Sequence, residues 1–175
     1  MAVNTKRLER KYLPEFVYGG MDGSITTFAV VSGVIGASLS SVVVLALGFA
    51  NLFADGFSMA VSHYFAIKSR NELIKKQEKH PMKGAAATFF SFLFIGLIPL
   101  LSFVIAAITK NPGIMANQFG YSIALTGLAL IIVGWFEGEV TGKHKVKSTL
   151  QALIIGGIAA FLAFSVGRII SLLIS

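Results

Sequence analysis

The sequence predicts an all-α, polytopic membrane protein with five transmembrane helices, its N-terminus inside and its C-terminus outside. Three observations carry this reading. The 175 residues are 55% hydrophobic and only 13% charged, with a mean hydropathy of +0.78, too apolar a balance for a water-facing surface. The apolar residues come in runs, several of them longer than the ~20 helical residues that cross a bilayer core. The basic residues gather at the ends of those runs, where membrane topology and anionic headgroups account for them.

In chain order, residues 1–15 form a charged cytoplasmic segment, expected as an interfacial helix. Arg7, Arg10 and Lys11 recur at helical spacing beside Leu8 and Tyr12, which suits the headgroup layer. Pro14 is expected to bend the chain into the membrane. The transmembrane domain, 16–175, then contains spans at about 16–37, 41–67, 84–108, 119–140 and 148–173. The uncharged Ser38-Leu39-Ser40 makes the first two a tight hairpin. Lys68 to Lys83 is a polar connector with six basic residues, two acids and His80, and Pro81 ends any helix running out of span 2. Pro99 marks a kink in span 3, whose freed carbonyl needs another partner. Asn111-Pro112-Gly113 marks a turn.

Five spans put the termini on opposite sides. With the N-terminus inside, Lys6, Arg7, Arg10, Lys11, Lys68, Arg70, Lys75, Lys76, Lys79, Lys83, Lys143, Lys145 and Lys147 are all cytoplasmic, 13 of the 15 Lys and Arg. Only Lys110 and Arg168 fall on or towards the other side, so the positive-inside rule sets the orientation. The same clustering removes nucleic acid as the reason for the net charge of +7. No cleavage site follows the basic start, and Asp22 interrupts the apolar run early, so span 1 is expected to stay in the mature protein. The absence of cysteine excludes disulfides, thiolate ligands and Cys nucleophiles. There is no HExxH, no Gly-rich phosphate loop followed by Lys and no nucleophile–base set, so an enzyme is not expected.

Ionisable groups inside the hydrocarbon mark a pathway or a ligand site by default. Asp22 precedes the hairpin tip at Leu39 by 17 residues and Asp55 follows it by 16, so both lie about 25 Å from that tip at 1.5 Å per residue. They share a level in the cytoplasmic half. Glu137 precedes Lys143 by six residues, about 9 Å of helix, and points to a similar zone. No intramembrane Lys or Arg is available there, and a cation is the missing partner. Glu137 and Glu139 are two apart, so at most one is expected to face a pathway while the other reaches the interface.

On span 2, Asn51, Asp55, Ser58, Met59 and Ser62 fall at i, i+4, i+7, i+8 and i+11, one helical stripe. On span 1, Asp22 and Thr26 continue to Ala29 and Gly33 on one face. Oxygen ligands suit hard cations, and a thioether tilts the set towards a first-row metal such as ferrous iron. Met59 stays open between a soft ligand and gap-filling packing. Asp22 could instead cap a helix, Asp55 could be neutral and hydrogen-bonded, and Ser24, Thr27, Ser32 and Ser58 read as packing residues. His63 and His80, at or beyond the end of span 2, are expected to be solvated, and His144 is a loop residue. Gly19, Gly20, Gly23, Gly33 and Gly36 in span 1, Gly134 and Gly138 in span 4, and Gly156, Gly157 and Gly167 in span 5 permit close helix approach. Five spans hold no simple inverted repeat, whereas a symmetric homodimer supplies ten and could build a pathway on its axis. Asp22 on that axis would meet its own copy and form an acidic, proton-sensitive cation site.

The run Gly20-Met21-Asp22-Gly23 with Thr26-Thr27-Phe28-Ala29, and the run Ala50-Asn51-Leu52-Phe53-Ala54-Asp55-Gly56-Phe57-Ser58-Met59, resemble the vacuolar iron transporter family. Weaker echoes are Gly96 to Leu100, Thr141-Gly142, Gly156-Gly157 and Gly167-Arg168. The resemblance implies a homodimer in the membrane that exports divalent iron, often also manganese, from the cytosol in exchange for protons. It implies transport-path roles for Asp22 and Met59. Some members carry a glutamate at the position of Asn51. Others have the Asn and the Asp of Asn51 and Asp55, and members that bind metal in the cytoplasm do so through a glutamate-rich helical insertion between spans 2 and 3, which the short basic Lys68 to Lys83 segment does not provide.

The expectation is a transporter of Fe2+ or Mn2+ as cargo, with no permanently bound cofactor and with protons, membrane lipid and a second copy as partners. Asp22, Asn51, Asp55, Met59 and Glu137 are its candidate metal residues. The membrane would be a plasma membrane in a prokaryote and a vacuole-type membrane in a eukaryote. The competing readings are a non-transporting membrane interaction protein whose glycine faces serve assembly, and a transporter of another solute.

Overall fold

The computed structural model describes residues 2–174, with side chains from residue 11 onward; the amphipathic pattern of Arg7, Leu8 and Arg10 therefore lies outside the described side chains. The described chain is all helical: α1 (Ala2–Gly36), α2 (Ser41–Leu73), α3 (Pro81–Gly96), a 3-10 turn (Ile98–Leu100), α4 (Leu101–Thr109), α5 (Pro112–Thr141) and α6 (Lys145–Ile174). Helix α1 continues through Pro14, from the charged segment into the apolar run. The hairpin tip and the kink at Pro99 fall where the sequence puts them. The connector differs: α2 continues to Leu73, and Pro81 opens α3 instead of ending α2. Asn111-Pro112-Gly113 is likewise a helix start. Asn111 Oδ1 accepts from the backbone N–H of Gly113 at 2.9 Å, and Pro112 takes the first helical position, where its missing N–H costs nothing.

Among the described residues, four helical stretches are long and apolar enough to cross a membrane: Ser41–Leu73, Pro81–Thr109, Pro112–Thr141 and Lys145–Ile174. Helix α1 is long enough but less apolar, because Gly19, Gly20, Asp22, Ser24, Thr26 and Thr27 interrupt its run. Its surroundings explain how it tolerates this. It packs against α2, α3, α5 and α6, while α2 packs chiefly on α3, and α6 on both α1 and α5. The helix with the most polar groups is thus the one the others enclose.

Close approach makes that enclosure possible. A Cβ on Gly23 would lie 2.5 Å from the Phe92 carbonyl oxygen, and one on Gly36 would lie 2.2 Å from that of Phe164. Only a bare Cα lets α3 and α6 come this near to α1. Between these contacts lies an apolar core of Phe28, Val31, Val34, Val44, Leu52, Phe92, Leu100 and Phe103. Buried hydroxyls pin backbone to backbone across it. Ser91 donates to the Phe16 carbonyl, joining α3 to α1. Ser122 donates to the Pro99 carbonyl at 2.6 Å and bolts the kink to α5. Ser102 donates to the Gln118 carbonyl at 2.8 Å, while the Gln118 amide reaches Ser41.

Gly23→Ala is expected to lower stability by about 1–3 kcal/mol, the usual cost of overpacking a tight site. Gly127→Ala, where an added Cβ meets nothing within 4 Å, is expected to stay within about 1 kcal/mol. Thermal unfolding of the detergent-solubilised variants checks the contrast.

Candidate metal site

The candidate residues divide into two places. Asp22 lies in the middle of α1, so it is not a helix cap. It is half-buried, as are Asn51, Asp55 and Met59 on α2. These three recur every fourth residue beside the buried stripe Val44, Gly48, Leu52, Gly56 and Ala60, which packs inward. The flank they occupy leans towards α1. The Asn51 Nδ2 donates to the Thr27 hydroxyl at 3.4 Å, and the Asp22 and Asp55 carboxylates lie within electrostatic reach of each other. Among the described residues neither carboxylate has an ion-pair partner or a side-chain hydrogen bond, so the expected alternative of a hydrogen-bonded Asp55 finds no support.

The hydroxyls nearby serve the helix itself. Ser24 donates to the Met21 carbonyl at 3.0 Å and Thr26 to the Asp22 carbonyl at 2.8 Å. Met59 packs against the apolar core. Helices α2 and α6 are not a packed pair among the described residues, so α1 is left partly uncovered between them. Asp22, Thr26 and Ala29, on one face of α1, are half-buried, so this face of α1 is open in part.

Glu137 lies elsewhere. It lines a cavity of about 410 Å³ between α1, α5 and α6, with Tyr18, Met21, Ile25 and Gln151. The other four candidates do not line it. The exposed Glu139 turns away to Lys145, whose ammonium also lies 5.1 Å from the centre of the Trp135 ring. The two glutamates therefore diverge, as their spacing requires. Among the described residues no three His, Cys, Asp or Glu side chains gather into a metal-binding group.

A cluster that the sequence reading did not single out sits two turns before Asp22. Glu15 is only 4% exposed, with the Lys79 ammonium 2.6 Å from its Oε1 and the His63 Nε2 3.7 Å away. His63 is half-buried and tilted against Tyr18, with ring centroids 6.1 Å apart, and is not the solvated residue expected. Spacing could have found the pair: Glu15 is seven residues before Asp22, and His63 is four after Met59, so each extends a polar stripe by one more position. Burial pushes the Glu15 carboxyl up, but His63 and the charge of Lys79 more than offset this and hold it at about 2. His80 is exposed, as expected, and its backbone N–H donates to the Tyr12 hydroxyl at 2.9 Å.

Comparisons with known proteins agree in one direction. The family model described as the VIT family matches residues 13–80 and 71–168. The two matches overlap in the α2–α3 connector. A vacuolar iron transporter homolog 1 of Arabidopsis thaliana is 31% identical over 91% of this chain and 84% of its own length. Vacuolar iron transporters of Toxoplasma gondii and Plasmodium berghei are 23% and 24% identical, over 93% and 91% of this chain and 76% and 82% of their own. The Toxoplasma alignment runs over 228 positions against the 175 residues here, so that relative carries residues with no counterpart in this chain.

The Glu15 carboxyl is lowered from an ordinary 4.5 to about 2. Its ion pair therefore stabilises the fold fully above pH 4.5, and that contribution is lost as pH falls through about 2. Glu15→Gln is expected to be less stable than wild type by a constant margin above pH 4.5, narrowing towards pH 2. Thermal unfolding of both proteins across this range measures the margin.

Proposed function

The chain belongs to the VIT family, and on that premise we propose that it carries divalent metal, Fe2+ or Mn2+, out of the cytosol in exchange for protons, as a homodimer. Its relatives support iron transport and a location in the membrane, vacuole-type if the source is eukaryotic. The family is one of transporters, in keeping with the lack of catalytic motifs. Helix α1 is the fifth span, lying among the other four, and the basic connectors face the cytosol.

The observation that carries the reading is the pair of uncompensated carboxylates on facing helices. The Asp22 and Asp55 carboxylates of α1 and α2 lie within electrostatic reach of each other, Asp22 on a half-buried face of α1, and Asn51, one turn before Asp55, donates to Thr27 of α1. Two carboxylates with no basic side chain paired to either among the described residues attract a mobile cation. A single chain offers too few donors to enclose a metal ion, and a second copy across that face would bring its own Asp22, Asp55 and Met59. Proton coupling then has a physical basis, because a carboxylate must lose its proton to bind metal and regains one on release. Asp22 is the central ligand and proton acceptor, Met59 the soft ligand, and Asn51 and Asp55 the oxygen donors. Glu137 lines a separate cavity and contributes charge near the cytoplasmic end instead of a ligand to this pair.

Assembly through glycine faces, the rival reading, loses its motive. Gly19, Gly20, Gly23, Gly36, Gly134 and Gly138 already meet neighbouring helices within the chain.

Asp22→Ala in proteoliposomes is expected to cut Mn2+ flux by about tenfold or more, the effect of about 1.4 kcal/mol of lost ion binding. Lumenal acid is expected to drive wild-type uptake. Full flux in Asp22→Ala contradicts the mechanism.

A further inference from the structure

The polar stripes of α1 and α2 do not end at Asp22 and Met59. On α1 the face of Asp22 continues, seven residues back, to Glu15. On α2 the series Asn51, Asp55 and Met59 continues to His63. Both stripes arrive at one cavity of about 310 Å³, lined by Glu15, His63, Arg70, Asn71, Glu78 and Lys79. The connector after α2 closes over this end. Lys79 extends from it to the Glu15 carboxylate at 2.6 Å.

Several contacts hold the connector in that position. The Asn71 amide donates to the Lys79 carbonyl at 2.7 Å, and its oxygen accepts from the Glu78 N–H at 3.1 Å. Arg70 pairs with Glu78 at 3.4 Å. Tyr12 on α1 accepts the His80 N–H at 2.9 Å. The charged groups around Glu15 are thus His63 and Arg70 from α2 and Glu78 and Lys79 from the connector. Glu15 Oε2 and His63 Nε2 remain buried without a hydrogen-bond partner. The site is not fully satisfied by the closed arrangement, and a single ammonium provides its shortest bond.

We propose that Lys79 is a tethered cation that closes the connector end of the Asp22–Asp55 track by occupying Glu15, and that a divalent cation enters only after displacing it. The proposal rests on the transport reading above. The ammonium neutralises the buried carboxylate that an entering cation meets first, so connector opening and cation entry compete for the same charge. Selection follows as well: displacing an ammonium from a carboxylate favours a doubly charged ion over a singly charged one.

Kinetics and a transport-independent probe together test this. In proteoliposomes, Lys79→Gln is expected to lower the KM for Mn2+ by about fivefold or more without lowering kcat. Lys79→Arg is expected to keep the wild-type KM, and Lys79→Gln to give no further gain in a Glu15→Gln background. An unchanged or raised KM in Lys79→Gln overturns the gate. The chain has no cysteine, so Gln77→Cys carries a single fluorophore on the connector. Its anisotropy is expected to fall when Lys79→Gln is added and to be restored by Lys79→Arg. If the wild type carries no Mn2+, the transport reading fails by itself and the fluorophore decides alone: a freed connector upholds the tether, and unchanged anisotropy overturns it.

Discussion

A carboxylate at the level of the hydrocarbon core cannot be left facing lipid, and, on the proposed reading of α1 as a fifth span, the architecture meets that constraint for Asp22. Helix α1 carries it together with glycines and hydroxyls that make the helix a poor lipid-facing span. The fold sets α2, α3, α5 and α6 around α1. Enclosure depends in turn on backbone approach at Gly23 and Gly36, where no side chain fits. Hydroxyls such as Ser91 and Ser122 then satisfy carbonyls across helices instead of competing for the acid. The remaining helices can present Phe, Ile and Leu outward because α1 does not have to.

The enclosure is incomplete on one side, which is where function enters. Helices α2 and α6 do not pack on each other, Asp22 on α1 is half-buried, and the Asn51 flank of α2 leans towards α1. A fully wrapped acid would be a structural burden with no access. On the proposed reading, a half-wrapped one, with a second acid within electrostatic reach, would be a place for a cation.

Much of this was legible in the sequence because bilayer spans write long, simple patterns. Hydropathy gave the helices, and residue counting from the Leu39 tip put Asp22 and Asp55 at one level. Four-residue recurrence placed Asn51, Asp55 and Met59 on one flank. Helix ends were less legible, since Asn111-Pro112 can open a helix as readily as it turns a loop, and α2 continues to Leu73, past the end of its apolar run at Ile67. Glu137 was grouped with the aspartates by depth alone. Depth says nothing of rotation, and Glu137 lines a different cavity. Glu15, His63 and Lys79 were missed as a cluster because their partners come from residues 64 positions apart in the chain, and only the folded connector brings Lys79 back to α1.

The central claim is that the half-enclosed acid of α1 holds the transported ion. Direct Mn2+ binding to detergent-solubilised protein, read by electron paramagnetic resonance in wild type and Asp22→Asn, isolates that claim from gating and proton coupling. The account predicts bound Mn2+ in the wild type and its loss in Asp22→Asn, with the fold intact by circular dichroism. Equal binding by the two proteins would contradict it.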